Sequence, residues 1–183
     1  MQTTGVNDDD IAPMENVYLQ EVRNLSQKYS KWSQYFDDVA GHDEFMKIRQ
    51  QIDEESMRLI EKYAWAVPDE RSLRIIAHFS PIIEIGSGKG YWARLLKGMG
   101  VNIVAYDKYL PSAGQEWTEV QRGGPEVLKK VKDRTLLLCY PDEAESIAAA
   151  CLDNFTGDYI IHVGELHCTG TAAGAPVAPF GRT

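Results

Sequence analysis

The sequence is poor in cysteine, in long apolar runs and in positive charge. Three cysteines, Cys139, Cys151 and Cys168, cannot make a disulfide framework, and none sits in a C-x-x-C pair, so a zinc ribbon is excluded and no metal site is expected. No apolar run approaches the roughly 18 residues that a membrane span needs. The N-terminal MQTTGVNDDD has no basic segment leading into an apolar one, so no secretory signal is expected and the default location is cytoplasmic. Nineteen Lys and Arg stand against 27 Asp and Glu, a formal charge of −8. Such a surface repels phosphate backbones and argues against a general nucleic-acid binder. What is present is ordinary for a globular domain: 183 residues, 44% hydrophobic and 25% charged. A chain of this length is expected to bury a core without disulfides or a structural metal.

Residues 1–13 are polar and acidic and read as a disordered arm. Residues 14–66 carry two helical stripes. Tyr18, Val22, Leu25, Tyr29, Trp32 and Phe36 recur in steps of four and three, one face of a helix. Phe45, Ile48, Ile52, Leu59 and Tyr63 repeat the pattern after Gly41, with Glu55 and Ser56 as its weak point. The two stripes predict a helical hairpin turning at Gly41 and His42. Pro68 is expected to open a further short helix, with Asp69 and Glu70 in its first turn and Leu73, Ile76 and Ala77 on its buried side.

From there the texture changes. Short apolar runs (82–85, 101–106, 135–139, 159–163) alternate with helical stretches (92–99, 125–131, 143–152). Continuous apolar strands alternating with helices predict a parallel sheet covered on both faces, an α/β fold. The crossover after Tyr106, DKYLPSAGQEW, holds Pro111 and Gly114 and reads as a loop. Residues 168–183 show no periodicity and read as an irregular tail.

The most informative segment is PIIEIGSGKGYWARLL, Pro81 to Leu96. A strand runs into Gly86-Ser87-Gly88-Lys89-Gly90 and out into a helix, a turn that lets backbone approach a ligand closely. A phosphate-binding G-x-x-x-x-G-K-[ST] loop fails twice: Gly90 follows Lys89, and the first glycine would fall on Ile83. A dinucleotide G-x-G-x-x-G fails at its third glycine, where Tyr91 stands. What remains is Glu84-x-Gly86-x-Gly88-x-Gly90. A carboxylate beside the turn would repel a pyrophosphate and suit a ligand with a cationic end, such as S-adenosylmethionine. The second strand ends in Asp107, about twenty residues on, where an acid accepts hydrogen bonds from ribose hydroxyls. Its other reading is a turn residue or helix cap.

EIGSGKG followed by VAYD resembles motif I and the ribose acid of class I S-adenosylmethionine-dependent methyltransferases. The stretch from Tyr63 to Glu165 is also similar to a methyltransferase-like subgroup from eukaryotic microbes. The resemblance implies a Rossmann-like domain over residues 67–167 with strand order 3-2-1-4-5. It implies S-adenosylmethionine as cofactor, its methionine part cradled by Glu84, Gly86, Ser87, Gly88 and Gly90, with its ribose on Asp107. The residue after the acid, Lys108, would meet adenine through its methylene stem, and Gln121 to Gly124, as the loop after the third strand, would contact adenine too. The fourth strand opens onto Tyr140-Pro141-Asp142, where substrate-facing residues lie in this family. The usual Pro-Pro-aromatic of amine-directed members is only partial here. Asp142, Glu165 and His167 are candidate bases, with Asp142 equally an N-cap. Tyr63 and Trp65 either cover the cofactor or belong to a core. His162 reads as a packed histidine, and Cys151 and Cys168 as inert thiols.

Family members normally continue beyond the fifth strand with a helix and two antiparallel strands. Only 18 residues follow Glu165 here, so those strands are expected to be lacking and the fifth strand to form an exposed edge. That edge and the N-terminal helices are the surfaces on which self-association would take place. Two functions therefore stand open: a methyltransferase acting on an unknown small-molecule or protein substrate, and a non-catalytic methyltransferase-like interaction module. A nicotinamide-dependent oxidoreductase is disfavoured by Tyr91 and Glu84.

Overall fold

Ile82-Ile83-Glu84-Ile85 is four residues long, rich in β-branched side chains and buried at every position, which suits the centre of a sheet and nothing else. In the computed structural model, which describes residues 15–31, 42–141 and 146–164, these residues form β1 (Ile82–Ile85). Its neighbours are β2 (Ile103–Asp107) on one side and β4 (Thr135–Cys139) on the other. β3 (Gln121–Arg122) and β5 (Ile160–Val163) flank them, giving a five-stranded, all-parallel sheet in the order 3-2-1-4-5. The expected Rossmann-like α/β arrangement is the one found.

Helices fill two of the crossovers, and a third helix precedes the first strand. α3 (Glu70–Ala77) precedes β1, α4 (Tyr91–Gly98) joins β1 to β2, and α5 (Ile147–Asn154) joins β4 to β5. A 3-10 turn (Pro125–Lys129) replaces the helix expected over 125–131. Pro125 starts it well, and the turn lasts five residues, ending at Lys129. Between β2 and β3 there is no helix, as Pro111 and Gly114 suggested.

One core lies where Ile83 and Ile85 of β1 and Leu136 and Leu138 of β4 meet Leu128, Ala148 and Cys151. By strand alternation, Ile82 and Glu84 point to the opposite face. α4 supplies a buried side of Tyr91, Trp92, Ala93, Leu95 and Leu96. At the N-terminal ends of the strands, the Arg134 guanidinium donates to the Ile82 carbonyl (3.2 Å) and to both the carbonyl and side-chain oxygen of Asn102 (3.1 and 2.9 Å).

Residues Glu15–Pro68 form a separate compact unit. α1 (Val17–Lys28) and α2 (His42–Lys62) pack as an antiparallel pair. Glu21 of α1 accepts from Lys62 (2.9 Å) and from the Tyr63 hydroxyl (3.0 Å). At the other end Glu55 accepts from Lys28 (2.6 Å) and from the Tyr29 hydroxyl (2.8 Å). The weak point of the second stripe is thus where two donors from the end of the first converge. Tyr18 and Tyr63 stack with centroids 4.7 Å apart. Trp32, Phe36 and Gly41 of the expected hairpin, the 1–13 arm and the 168–183 tail lie outside the described residues.

Pro68 does not open α3. Asp69 is its N-cap, accepting from the Ser72 amide at 2.6 Å, while the Ser72 hydroxyl reaches back to the Asp69 amide. A side chain that can accept from the first turn outcompetes a proline that merely tolerates it. These bonds hold the Asp69 carboxyl below its usual range. Replacing Asp69 by Ala is expected to cost about 1 kcal/mol, read as a lower urea midpoint with unchanged slope. That difference should shrink as pH falls through the carboxyl's own titration.

Candidate functional site

The site is built at the C-terminal end of β1, where the chain must leave the sheet and enter α4 within five residues. Gly86, Gly88 and Gly90 all adopt left-handed φ values of 76°, 56° and 76°. Such angles are strained for other L residues. The Gly86 and Ser87 amides both donate to the Tyr106 carbonyl (2.9 and 3.1 Å), which fastens the turn to β2.

The three glycines do different jobs. A Cβ on Gly90 would lie 2.9 Å from Val120 Cγ2 and 3.0 Å from Thr118 Cγ2, so that glycine makes room for the chain segment leading into β3. On Gly86 it would meet only Ile147, at 3.5 Å. On Gly88 it would meet nothing within 4 Å among the described residues. Among the three, only Gly88 faces open space.

Asp107, at the end of β2, lies beside this opening. Its Oδ2 accepts from the Gly88 amide at 2.8 Å and its Oδ1 from the Tyr109 amide at 2.8 Å. The turn-residue and ligand readings of Asp107 are therefore compatible, because each carboxylate oxygen keeps a further acceptor direction. Lys108 is exposed, its ammonium 5.0 Å from the centroid of the equally exposed Tyr109 ring. Gln121 and Arg122, expected beyond the third strand, are that strand. Gly123 and Gly124 then turn the chain into the 3-10 segment, and the Gly123 amide donates to the Asp107 carbonyl at 3.0 Å.

Glu84 is 1% exposed. The Cys139 thiol is hydrogen-bonded to its carboxyl, which favours the charged form, as does Lys97. Burial works against them more strongly, Asp107 adds to it, and the group is raised to about 8. Among the described residues Glu84 Oε2 has no hydrogen-bond partner, and neither has Ser87 Oγ. The expectation of a standing negative charge here needs correction: within the protein alone the neutral acid predominates at pH 7. With no cation beside it the charge appears only as pH rises toward 8 and beyond.

Farther along the strand ends, Tyr140 follows β4 with a left-handed φ of 49°, and its amide donates to the Val163 carbonyl at 2.7 Å. His162 of β5 is half-buried, with burial holding its imidazole below the usual range. A Cβ on Gly164 would lie 3.1 Å from His162 Cε1 and 3.5 Å from the Tyr140 ring, so these two side chains share one corner. Cys151 is packed in the core and burial pushes its thiol up to about 12, which leaves it inert. Tyr63 is buried on Tyr18 in the helical unit, and Trp65 is 61% exposed. Asp142, Glu165, His167 and Cys168 lie outside the described residues.

Two participants escape sequence reasoning. Cys139 becomes the partner of Glu84 because β4 pairs with β1 in the register Glu84 to Leu137, a distance set by strand pairing and not by spacing in the chain. Trp117 pins the helix-free crossover: its amide donates to the Lys89 carbonyl at 2.8 Å and its ring meets Tyr91 edge-on at 5.2 Å. A lone tryptophan at the end of a polar loop is the available signal, since so large an apolar surface needs cover.

Among the described residues no group of His, Cys, Asp or Glu is placed to hold a metal, and no helix is long and apolar enough to cross a membrane. The chain matches no protein-family model and no curated protein.

Two outcomes test this geometry. Gly90→Ala, with a clash added to the left-handed angle, is expected to lose about 1–3 kcal/mol more stability in urea than Gly88→Ala, which carries the angle penalty alone. For Glu84, whose folded value lies above its unfolded one, stability is greatest below about pH 4.5 and is lost as pH rises toward 8. Glu84→Gln should therefore gain on the parent protein between pH 5 and 8. The gain should level off above that range in thermal melts.

Proposed function

We propose that the chain is an S-adenosylmethionine-dependent methyltransferase acting on a small molecule or a protein. The observation that carries this reading is the pair of carboxyl groups around an open glycine. Glu84 lies buried behind the turn with Oε2 unpartnered among the described residues, and Asp107 is bonded to Gly88 at 2.8 Å. A diphosphate at this turn would meet the Asp107 oxygens, and the Gly88 amide it would need as a donor is already bonded to them. A ligand with a ribose diol and a cationic amino-acid end finds acceptors for both.

When bound, the cofactor supplies an electrophilic methyl group. The chain's own tasks are to bind and orient. Gly88 leaves the backbone approachable, Asp107 offers its remaining acceptor directions to hydroxyls, and Glu84 offers Oε2 to positive charge. Methyl transfer then requires mainly that the acceptor be aligned and water excluded. An oxygen acceptor also needs a base, and Asp142 and Glu165 are the candidates the sequence suggests.

A second reading, a non-catalytic interaction module, draws on the β5 side of the sheet. Tyr159 is 57% exposed and Ile160 39%, more apolar surface than a strand facing only water needs.

Calorimetric titration of the full chain separates the two. The methyltransferase reading expects S-adenosylmethionine and S-adenosylhomocysteine both to bind in the micromolar range. Asp107→Ala and Gly88→Arg should each weaken binding at least about tenfold, or 1.4 kcal/mol, with circular dichroism unchanged. Absence of binding at millimolar cofactor would favour the interaction module.

A further inference from the structure

The Glu84 carboxyl, 1% exposed behind the glycine turn, is only half satisfied. Four elements set its surroundings. Its own strand β1 places it on the sheet face opposite the Ile83 and Ile85 core. β4 brings the Cys139 thiol into hydrogen bond with it, β2 brings the Asp107 carboxyl to act on it, and α4 brings the Lys97 ammonium. Lys97 is also engaged elsewhere, donating to Thr118 Oγ1 at 3.0 Å. Oε2 is left with no partner among the described residues, and Ser87 Oγ, two residues past β1 on the same turn, is buried and unpartnered as well. An unpartnered buried acceptor is costly to keep, and more so if charged.

We propose that Glu84 is a proton-exchange site, at which loading a cationic ligand onto the turn expels the carboxyl proton to solvent. The proposal rests on the cofactor reading above and adds to it how the site is regulated. The balance is simple: a neutral carboxylic acid and a cation become a carboxylate paired with that cation, plus one proton released. No other bond is made or broken. Burial supplies the acid form, with the group raised to about 8 in the protein alone. A positive charge seated beside Oε2 reverses that preference, as an opposite charge within a few ångströms does. Ligand affinity then depends on pH, rising toward alkaline conditions until the free protein has itself lost the proton.

The test is calorimetry of the full chain with S-adenosylmethionine at pH 6 to 9, in pairs of buffers with different ionisation enthalpies, for the parent protein and Glu84→Gln. The ligand's own amine titrates in this range, as α-amino groups do at about 7.7–8.0, so the proton counts are compared at pH 7 and below, where the free ligand already carries that proton. The parent is expected to release close to one proton more per ligand at pH 7 than Glu84→Gln. Its affinity relative to the variant should rise by up to about tenfold per pH unit below 8 and flatten above. Equal proton counts for two proteins that both bind would overturn the exchange and leave the cofactor reading standing. No binding by the parent at millimolar ligand would overturn both. Should Glu84→Gln fail to fold, infrared difference spectra of the parent decide instead. Loss of a protonated-carboxyl carbonyl band on adding ligand supports the exchange, and an unchanged band overturns it.

Discussion

One backbone amide organises the top of the sheet. The Gly88 N–H is bonded to the Asp107 carboxylate over 2.8 Å, and this joins the turn after β1 to the end of β2. The Tyr106 carbonyl, which receives the Gly86 and Ser87 amides, secures the same junction one residue earlier. Without these bonds three left-handed glycines within five residues would be free to wander, because glycine loses more conformational freedom on ordering than any other residue. With them the turn is held open in one shape. The same carboxylate also accepts from Tyr109, so it fixes where the following crossover departs.

Charge at this junction is governed by depth. Asp107 sits at the rim with two amide donors. Glu84, only two strand positions before the turn, is shut off from water and raised to about 8. Two carboxyl groups on adjacent parallel strands thereby stand in different surroundings, one bonded to two amides at the rim and the other held by burial toward its neutral form. Cys139 and Lys97 soften the effect on Glu84 without cancelling it. In the proposed function this asymmetry matters: one acid is ready to accept hydroxyls, and the other responds to what arrives.

Much of this architecture was legible in the chain. The run Ile82 to Ile85 could hardly be anything other than a buried strand, and the glycine spacing announced a turn into a helix. Asp107 fell at the end of the second strand as expected, and the loop reading of the following crossover held because Pro111 and Gly114 are local signals. Pro68 misled, since a proline compatible with a helix start and an aspartate able to cap one look alike until the Ser72 amide is seen bonded to Asp69. The separate jobs of Gly88 and Gly90 were also hidden. They depend on Thr118 and Val120, about thirty residues downstream, arriving against one glycine and not the other. The ionisation of Glu84 was misjudged for a related reason. A carboxyl is written as negative in a sequence, and only the packing around it says whether water is near enough to keep it so.

The helix-free link between β2 and β3 has a consequence for the molecule's internal motions. Its fastenings include the Tyr109 amide on Asp107 at the start, a Gln115-to-Ser112 bond at 3.0 Å midway, and at the end the Trp117 amide on Lys89 and its ring on Tyr91. Neither a helical ladder nor strand pairing runs through residues 110–116. Freeing that stretch leaves the Leu136, Leu138 and Ile83 core intact, so its amides are expected to exchange with solvent through a small excursion of their own, uncoupled from global unfolding.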